Sequence, residues 1–201
     1  MTLLTGPVPS ALANDCAHVE SGVDPNLANS SGGVILGEAV GQTFHADALL
    51  IESITVWRVA YEDTNQFGMH VYVTATDSLG RPNSRQVLAS GPDVYHLFGD
   101  GTHPIEFEFV FDPPLSLPSI GNYYFTIQSV PCYGFWDLAA VDGLDYYPAG
   151  HAWANSRSLE CTLSPFAFSY PSADLCFRIR YCDISTPTQR TTWGHLKAIY
   201  R

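Results

Sequence analysis

Carboxylates, imidazoles, thiols and flat aromatic rings are the side chains of this sequence with chemistry to offer. Glu106 and Glu108 stand two apart in Ile-Glu-Phe-Glu-Phe, so an extended chain carries both on one face. Glycoside hydrolysis uses two acids roughly 5 to 9.5 Å apart, and two residues of strand span about 7 Å. The intervening phenylalanines give these acids a plainer use, as the wet side of an outer strand. Seven histidines, at 18, 45, 70, 96, 103, 151 and 195, are scattered, and none stands two or four residues from another. His45-x-Asp47 suits part of a metal site and, equally, a surface pair. His-Glu-x-x-His and Gly-x-Ser-x-Gly are both absent, so the sequence supports neither zinc hydrolysis nor a serine elbow.

Asp142-Gly-Leu-Asp145 puts two carboxylates in a turn, with Asp137 shortly upstream. Hard cations collect several oxygen ligands. Asp142 and Asp145 are therefore the candidate ligands of one structural calcium, although Asp and Gly also build ordinary turns. No other cofactor is expected, and no enzyme activity. Twelve of the 26 aromatic residues fall between Tyr123 and Tyr170. A flat ring covers the C–H face of a sugar while its polar tip reaches hydroxyls. Tyr133, Trp136, Asp137 and Trp153 are the expected ligand platform; packing in a core is the competing use of the same rings.

Five cysteines without a Cys-x-x-Cys pair do not form a zinc pattern. Two disulfides and a spare thiol fit better, and they imply an oxidising compartment. Cys176 and Cys182 lie about 20 Å apart along a straight strand, beyond the roughly 7 Å that a disulfide allows. The expected pairs are Cys16 with Cys182, tying the chain ends, and Cys132 with Cys161. Residues 1–13 end in Ala11-Leu-Ala13, the small-x-small pattern of a signal-peptidase site. They are read as a signal-peptide remnant or a flexible terminus. A secreted or cell-surface location follows. No apolar run is long enough to span a membrane.

The 201 residues are 46% hydrophobic and 14% charged, enough oily surface for one large core. The net charge of −11 repels phosphate backbones, which makes nucleic acid a poor partner. Alternation with a period of two recurs in short runs. In Asp174–Cys182, Leu175, Phe177, Ile179 and Tyr181 oppose Cys176, Arg178, Arg180 and Cys182. In Phe67–Thr76, Met69, Val71 and Val73 oppose His70, Tyr72 and Thr74. In Ile105–Phe111, Phe107 and Phe109 oppose the two glutamates. In Leu49–Ala60, Ile51, Trp57 and Val59 share one side, and Ile54 and Val56 the other. Asn122–Val130 reads as a strand, and Gly134–Ala140, Gly150–Trp153 and Phe166–Tyr170 as short ones. Gln86–Ser90 is expected to end at Gly91-Pro92, and Asp112–Pro118 to interrupt pairing because of its prolines. Asn14–Gly33 is expected to be mostly loop. Many short strands separated by turn residues predict an all-β fold: an antiparallel two-sheet β-sandwich of jelly-roll type over residues 14–183.

Several short motifs occur in a telling order: Gln42-Thr-Phe, Ile54-Thr-Val, Gly80-Arg-Pro, Pro114-Leu-Ser-Leu, Asn122-Tyr-Tyr, Tyr147-Pro-Ala-Gly-His-Ala-Trp153 and Asp174-Leu-Cys-Phe-Arg. Over residues 41–181 the chain resembles secreted bacterial jelly-roll modules, similar in architecture to carbohydrate-binding modules. The resemblance implies a non-catalytic adhesive or glycan-binding role, with a glycan or cell-surface component as partner. Residues 184–201 form a separate basic tail. They carry three positive charges and no carboxylate, against −14 for the rest. Trp193, Leu196 and Tyr200 recur at helical spacing, so a short amphipathic helix is expected there, with Lys197 on it. Its Trp193-Gly-x-x-Lys197 resembles endings of some exported bacterial proteins. Such a tail suits an interaction surface, and the alternative function is a self-assembling subunit of an extracellular filament or surface layer, its partners being copies of itself.

Overall fold

The computed structural model describes residues 17–35, 38–63, 67–96, 99–132, 134–158 and 162–183. The expected signal remnant, the helical tail with Trp193, Leu196, Lys197 and Tyr200, and also Tyr133, Cys16 and Cys161, lie outside the described residues. The described chain is all-β. Its strands are β1 (Ala17–Val23), β2 (Ser30–Ile35), β3 (Ala39–Ala46), β4 (Leu50–Arg58), β5 (Glu62–Asp63), β6 (Phe67–Thr76), β7 (Pro82–His96), β8 (Gly99–Asp100), β9 (Ile105–Ser116), β10 (Gly121–Val130), β11 (Phe135–Asp142), β12 (Ala152–Asn155), β13 (Ala167–Tyr170), β14 (Ala173–Leu175) and β15 (Phe177–Asp183). A single 3-10 turn at Pro25–Leu27 is the one helical element among the described residues.

Two antiparallel sheets hold most of these strands. The first runs β1-β15-β4-β11-β14, with β9 beside β4 and β2 beside β11. The second runs β13-β12-β3-β10-β6-β7. The alternating runs explain why the sheets meet. Ile54, Val56, Phe107, Phe109, Phe177 and Ile179 of the first sheet share one buried cluster with Phe44, Met69, Val71, Val73, Phe125 and Ile127 of the second. Phe125 meets Phe177 directly, with ring centroids 5.4 Å apart. Burying each such side chain contributes roughly 1.5–3 kcal/mol.

Several sequence expectations are corrected. Asn14–Gly33 holds strand β1, whose mostly exposed Ala-His-Val-Glu-Ser-Gly-Val pairs along β15 from Ala17↔Asp183 to Val23↔Phe177. An edge strand with little to bury carries no apolar alternation. Gly91-Pro92 does not end its strand; β7 continues to His96 around a shift in register. The prolines at 113 and 114 do not end β9, because Ile51↔Leu115 and Ser53↔Val110 bracket a local looping-out. Among the described residues β9 pairs only with β4, so its proline side has no described ladder to break. The closing run is two strands, not one: Cys176 separates β14, on β11, from β15, on β4 and β1. Finally, Ile51 and Trp57 do not share a face. Arg180↔Ser53 is followed by Tyr181↔Ile51, so Glu52 is an extra residue and Ile51 joins the core.

A buried polar cluster crosses between the sheets, besides the Tyr181 hydroxyl that donates to the His45 carbonyl at 3.5 Å. Gln42 of β3 donates from Nε2 to Asp174 Oδ1 of β14 (2.8 Å), and the Leu175 N–H donates to Gln42 Oε1 (3.0 Å). The other Asp174 oxygen accepts from the Tyr146 and Tyr147 N–H groups at 3.1 and 3.0 Å. Burial raises the Asp174 pKa above the ordinary carboxylate value, against the opposing pull of these hydrogen bonds. A carboxyl with a raised folded pKa contributes its stability below the unfolded pKa and loses it as pH rises through the folded one. The Gln42 amide offsets that loss by bonding the ionised form. Gln42→Leu is therefore expected to cost about 1–3 kcal/mol, and more near pH ~7 than near pH ~4. Urea unfolding at the two pH values measures this; an equal cost at both contradicts it.

Candidate functional site

The outer face of the first sheet carries the chemistry. Directly opposed residues point the same way, so the register lays side chains out in rows. Glu20, Arg180 and Ser53 form one row, Arg178, Thr55 and Glu108 the next, and Trp57 and Glu106 a third. The extra residue at Glu52 turns its carboxylate outward as well, where it meets His18 Nδ1 at 2.8 Å.

Ion pairs knit the rows together. Arg180 lies 3.1 Å from Glu20 and 3.7 Å from Glu108, and Arg178 lies 3.4 Å from Glu106. The Ser53 hydroxyl donates to Glu108 at 2.8 Å. The hydrogen bond to Glu20 holds Arg180 above its ordinary pKa, with Glu108 and Glu52 adding to the effect. The Arg178 guanidinium also sits over the Trp57 ring, 5.5 Å from its centre.

Two clefts open on this face. One, of about 520 Å³, is lined by Glu20, Asp24, Trp57, Glu106 and Arg178 among others. Its neighbour, of about 490 Å³, is lined by His18, Glu52, Glu108, Asp112 and Arg180 among others. Six carboxylates thus face two guanidiniums, so the face repels anions and offers many hydrogen-bond acceptors. Two polar atoms between them lack a partner: the buried Thr55 hydroxyl and the Arg178 Nε–H. Buried polar groups are normally bonded, and leaving one orphaned costs about 1–3 kcal/mol.

The expected platform is not assembled. Trp136 is only 1% exposed, in the core beneath the Arg58 guanidinium, whose centre is 4.8 Å from the ring. Asp137 follows Trp136 on β11, so its side chain points the other way. Trp153 belongs to the other sheet. It is buried, stacked on His151 at 4.9 Å, and donates from Nε1 to Thr43 Oγ1 at 3.4 Å. Trp136 belongs to the core cluster, and Trp153 is buried outside it. The calcium expectation also finds no cluster: Asp142 Oδ1 accepts from Ser172 (3.1 Å), and Asp145 is exposed. Among the described residues no group of three or more His, Cys, Asp or Glu is placed to hold a metal ion. His45 and Asp47 are a surface pair at 3.7 Å.

Cys132 and Cys182 are each tied up in a disulfide, while Cys176 is free and buried. Burial pushes the Cys176 thiol up to about 12, so it is no nucleophile. Sequence reasoning missed Trp57 and Arg178 as site residues because it weighed rings outside strands. The signal was present: Arg178 and Arg180, like Glu106 and Glu108, alternate with core residues.

No family model and no curated protein matches this chain. Among solved structures it is similar to the cysteine protease and lectin-like domains of Cwp84, a surface layer associated protein of Clostridium difficile. That match has 13% identity and a TM-score of 0.44, covering 77% of this chain and 36% of the other. The chain thus spans about a third of that structure's length. A likeness at that level assigns neither fold nor function.

The orphaned Thr55 hydroxyl makes a direct prediction. Thr55→Val keeps the shape and removes the unpaired group, so it is expected to stabilise the protein by up to about 1 kcal/mol. A raised urea midpoint with an unchanged slope is the measurement; a lowered midpoint shows that the hydroxyl was already bonded.

Proposed function

We propose that this chain is an exported jelly-roll module that binds carbohydrate on the polar face of its first sheet. The observation that carries the reading is the pair of adjoining clefts, in which six carboxylates flank the Arg178 and Arg180 guanidiniums. Sugar hydroxyls both donate and accept, so they pair with carboxylates and guanidinium at once. The excess of carboxylates favours neutral or amino sugars over sulfated or uronic ones. Trp57, 8% exposed with Arg178 over its ring, backs the cleft at the end of the row. This face binds in the reading, and no bond is broken there.

Export is supported by the two oxidised cysteines and by the Ala11-Leu-Ala13 pattern. Cys182 lies opposite His18 on β1, two residues along the sequence from Cys16, the partner proposed for it. Cys132 is left for Cys161. No helix among the described residues is long and apolar enough to cross a membrane.

A glycan array and calorimetry with neutral and amino glycans test the binding. Arg178→Gln and Glu108→Gln are expected to weaken it at least about tenfold, a loss of ~1.4 kcal/mol. Trp153→Ala, on the other sheet, should leave affinity intact if the variant folds. A flat array, or hits indifferent to Arg178→Gln, contradicts the reading.

A second reading, a subunit of an extracellular assembly, is favoured by a different observation. β13 is the outermost strand of its sheet among the described residues, and Phe166, Phe168 and Tyr170 are 69%, 61% and 52% exposed. No charge occurs from Thr162 to Ala173 in a chain of net −11. Natural edges are normally protected by charge, proline or a bulge. Phe168→Lys should therefore abolish self-association in a sedimentation concentration series. Wild-type protein that stays monomeric throughout removes this reading.

A further inference from the structure

The outer face of the second sheet holds a cluster that the binding reading leaves unused. His70 on β6 lies opposite Asp93 on β7, and Tyr72 lies opposite Ser90. Three residues of β6, 70–72, thus face four of β7, 90–93, so one extra residue sits between Ser90 and Asp93. Without it, residues three apart would point to opposite faces. With it, both reach the same imidazole. Gly91 takes up the kink at a φ of +92°, a backbone state that disfavours any side chain.

The geometry is ordered. His70 Nδ1 is 2.5 Å from Asp93 Oδ1, and His70 Nε2 is 3.0 Å from Ser90 Oγ. An ionised carboxylate only accepts, so the Asp93 contact keeps the proton on Nδ1. The Nε2 lone pair is then free to accept from the Ser90 hydroxyl. Tyr72 packs edge-on against the imidazole, with ring centres 4.5 Å apart, and limits its rotation.

Two further groups sit beside this relay. Gln128 lies opposite His70 on β10, and its buried Nε2 has no partner. Tyr95 is half exposed and its ring lies against Gly68; a Cβ there would come within 2.6 Å of it. The ring offers an apolar surface next to Asp93.

We propose that Ser90 is a nucleophile, activated by His70 and acting on small acyl esters of alcohols, with Asp93 as a positioning residue. This goes beyond the binding reading and does not depend on it. Ser90 Oγ forms a bond to the ester carbonyl carbon as its proton passes to His70 Nε2. The tetrahedral adduct collapses, the carbon–alkoxide bond breaks, and the leaving alcohol takes the proton from Nε2. Water then adds to the acyl-serine, giving its proton to Nε2. The acid departs, and Oγ recovers its hydrogen. Water is the only co-reactant, and nothing is oxidised or reduced.

The test uses the full chain with a fluorophosphonate probe, followed by peptide mapping, together with hydrolysis of p-nitrophenyl acetate. A single adduct on Ser90 is expected in the folded protein and none after heat unfolding. Ser90 is exposed, so Ser90→Ala should keep its melting temperature while losing both adduct and hydrolysis. His70→Gln should slow labelling by about 10²-fold, the lower end of what a positioned base supplies. Asp93→Asn should slow it too, and Asp93→Glu should recover part of the rate at an unchanged melting temperature. No adduct, an adduct elsewhere, labelling that survives unfolding, or hydrolysis indifferent to Ser90→Ala overturns the proposal.

Discussion

A buried carboxylate between two sheets constrains much of this molecule. Asp174 is 2% exposed, and a carboxylate in that position needs donors. Gln42 reaches it from the opposite sheet, and the Tyr146 and Tyr147 N–H groups reach it from the loop before β12. Those bonds decide where the loop lies. Tyr147 is then set edge-on against Phe177, 5.1 Å between ring centres, and Phe177 begins β15. From that anchor the alternation of β15 turns Ile179 and Tyr181 inward and Arg178 and Arg180 outward. The polar face is therefore positioned by a contact made on the other side of its own sheet.

The chemistry of both outer faces depends on extra residues in strands. One at Glu52 brings Ile51 back into the core and adds a carboxylate to the first face. One between Ser90 and Asp93 gathers a serine and an acid around a single imidazole on the second. Regular strands would have sent these side chains to opposite sides. The interior tolerates the interruptions because each one falls between rows that stay in register, so Phe107, Phe109, Val71 and Val73 keep their places.

Much of the fold was legible where one face is oily and the other wet. β6, the first half of β9 and β15 are such strands, and their inward residues were identified from spacing alone. β1 was illegible because an edge strand of Ala-His-Val-Glu-Ser-Gly-Val buries almost nothing. The extra residues were illegible because spacing arguments assume an unbroken period. That is why Trp57 was grouped with Ile51, and why His70 counted only as one of seven scattered histidines. Trp136 and Trp153 were misjudged for another reason. Their neighbours in sequence are turn residues, but their neighbours in space are Arg58, His151 and Thr43. Gln42 and Asp174 both stood in short motifs that caught attention, yet nothing in the sequence joined positions 132 residues apart.

The account rests on the two sheets being held together through Gln42 and Asp174. Amide hydrogen exchange on the native protein reports on this directly, residue by residue. The N–H groups of Leu175, Tyr146 and Tyr147 should exchange as slowly as those of β10, the central strand of the second sheet, since all would open only with the whole fold. Exchange of these three at the rate of an exposed loop, while β10 stays protected, would contradict the account.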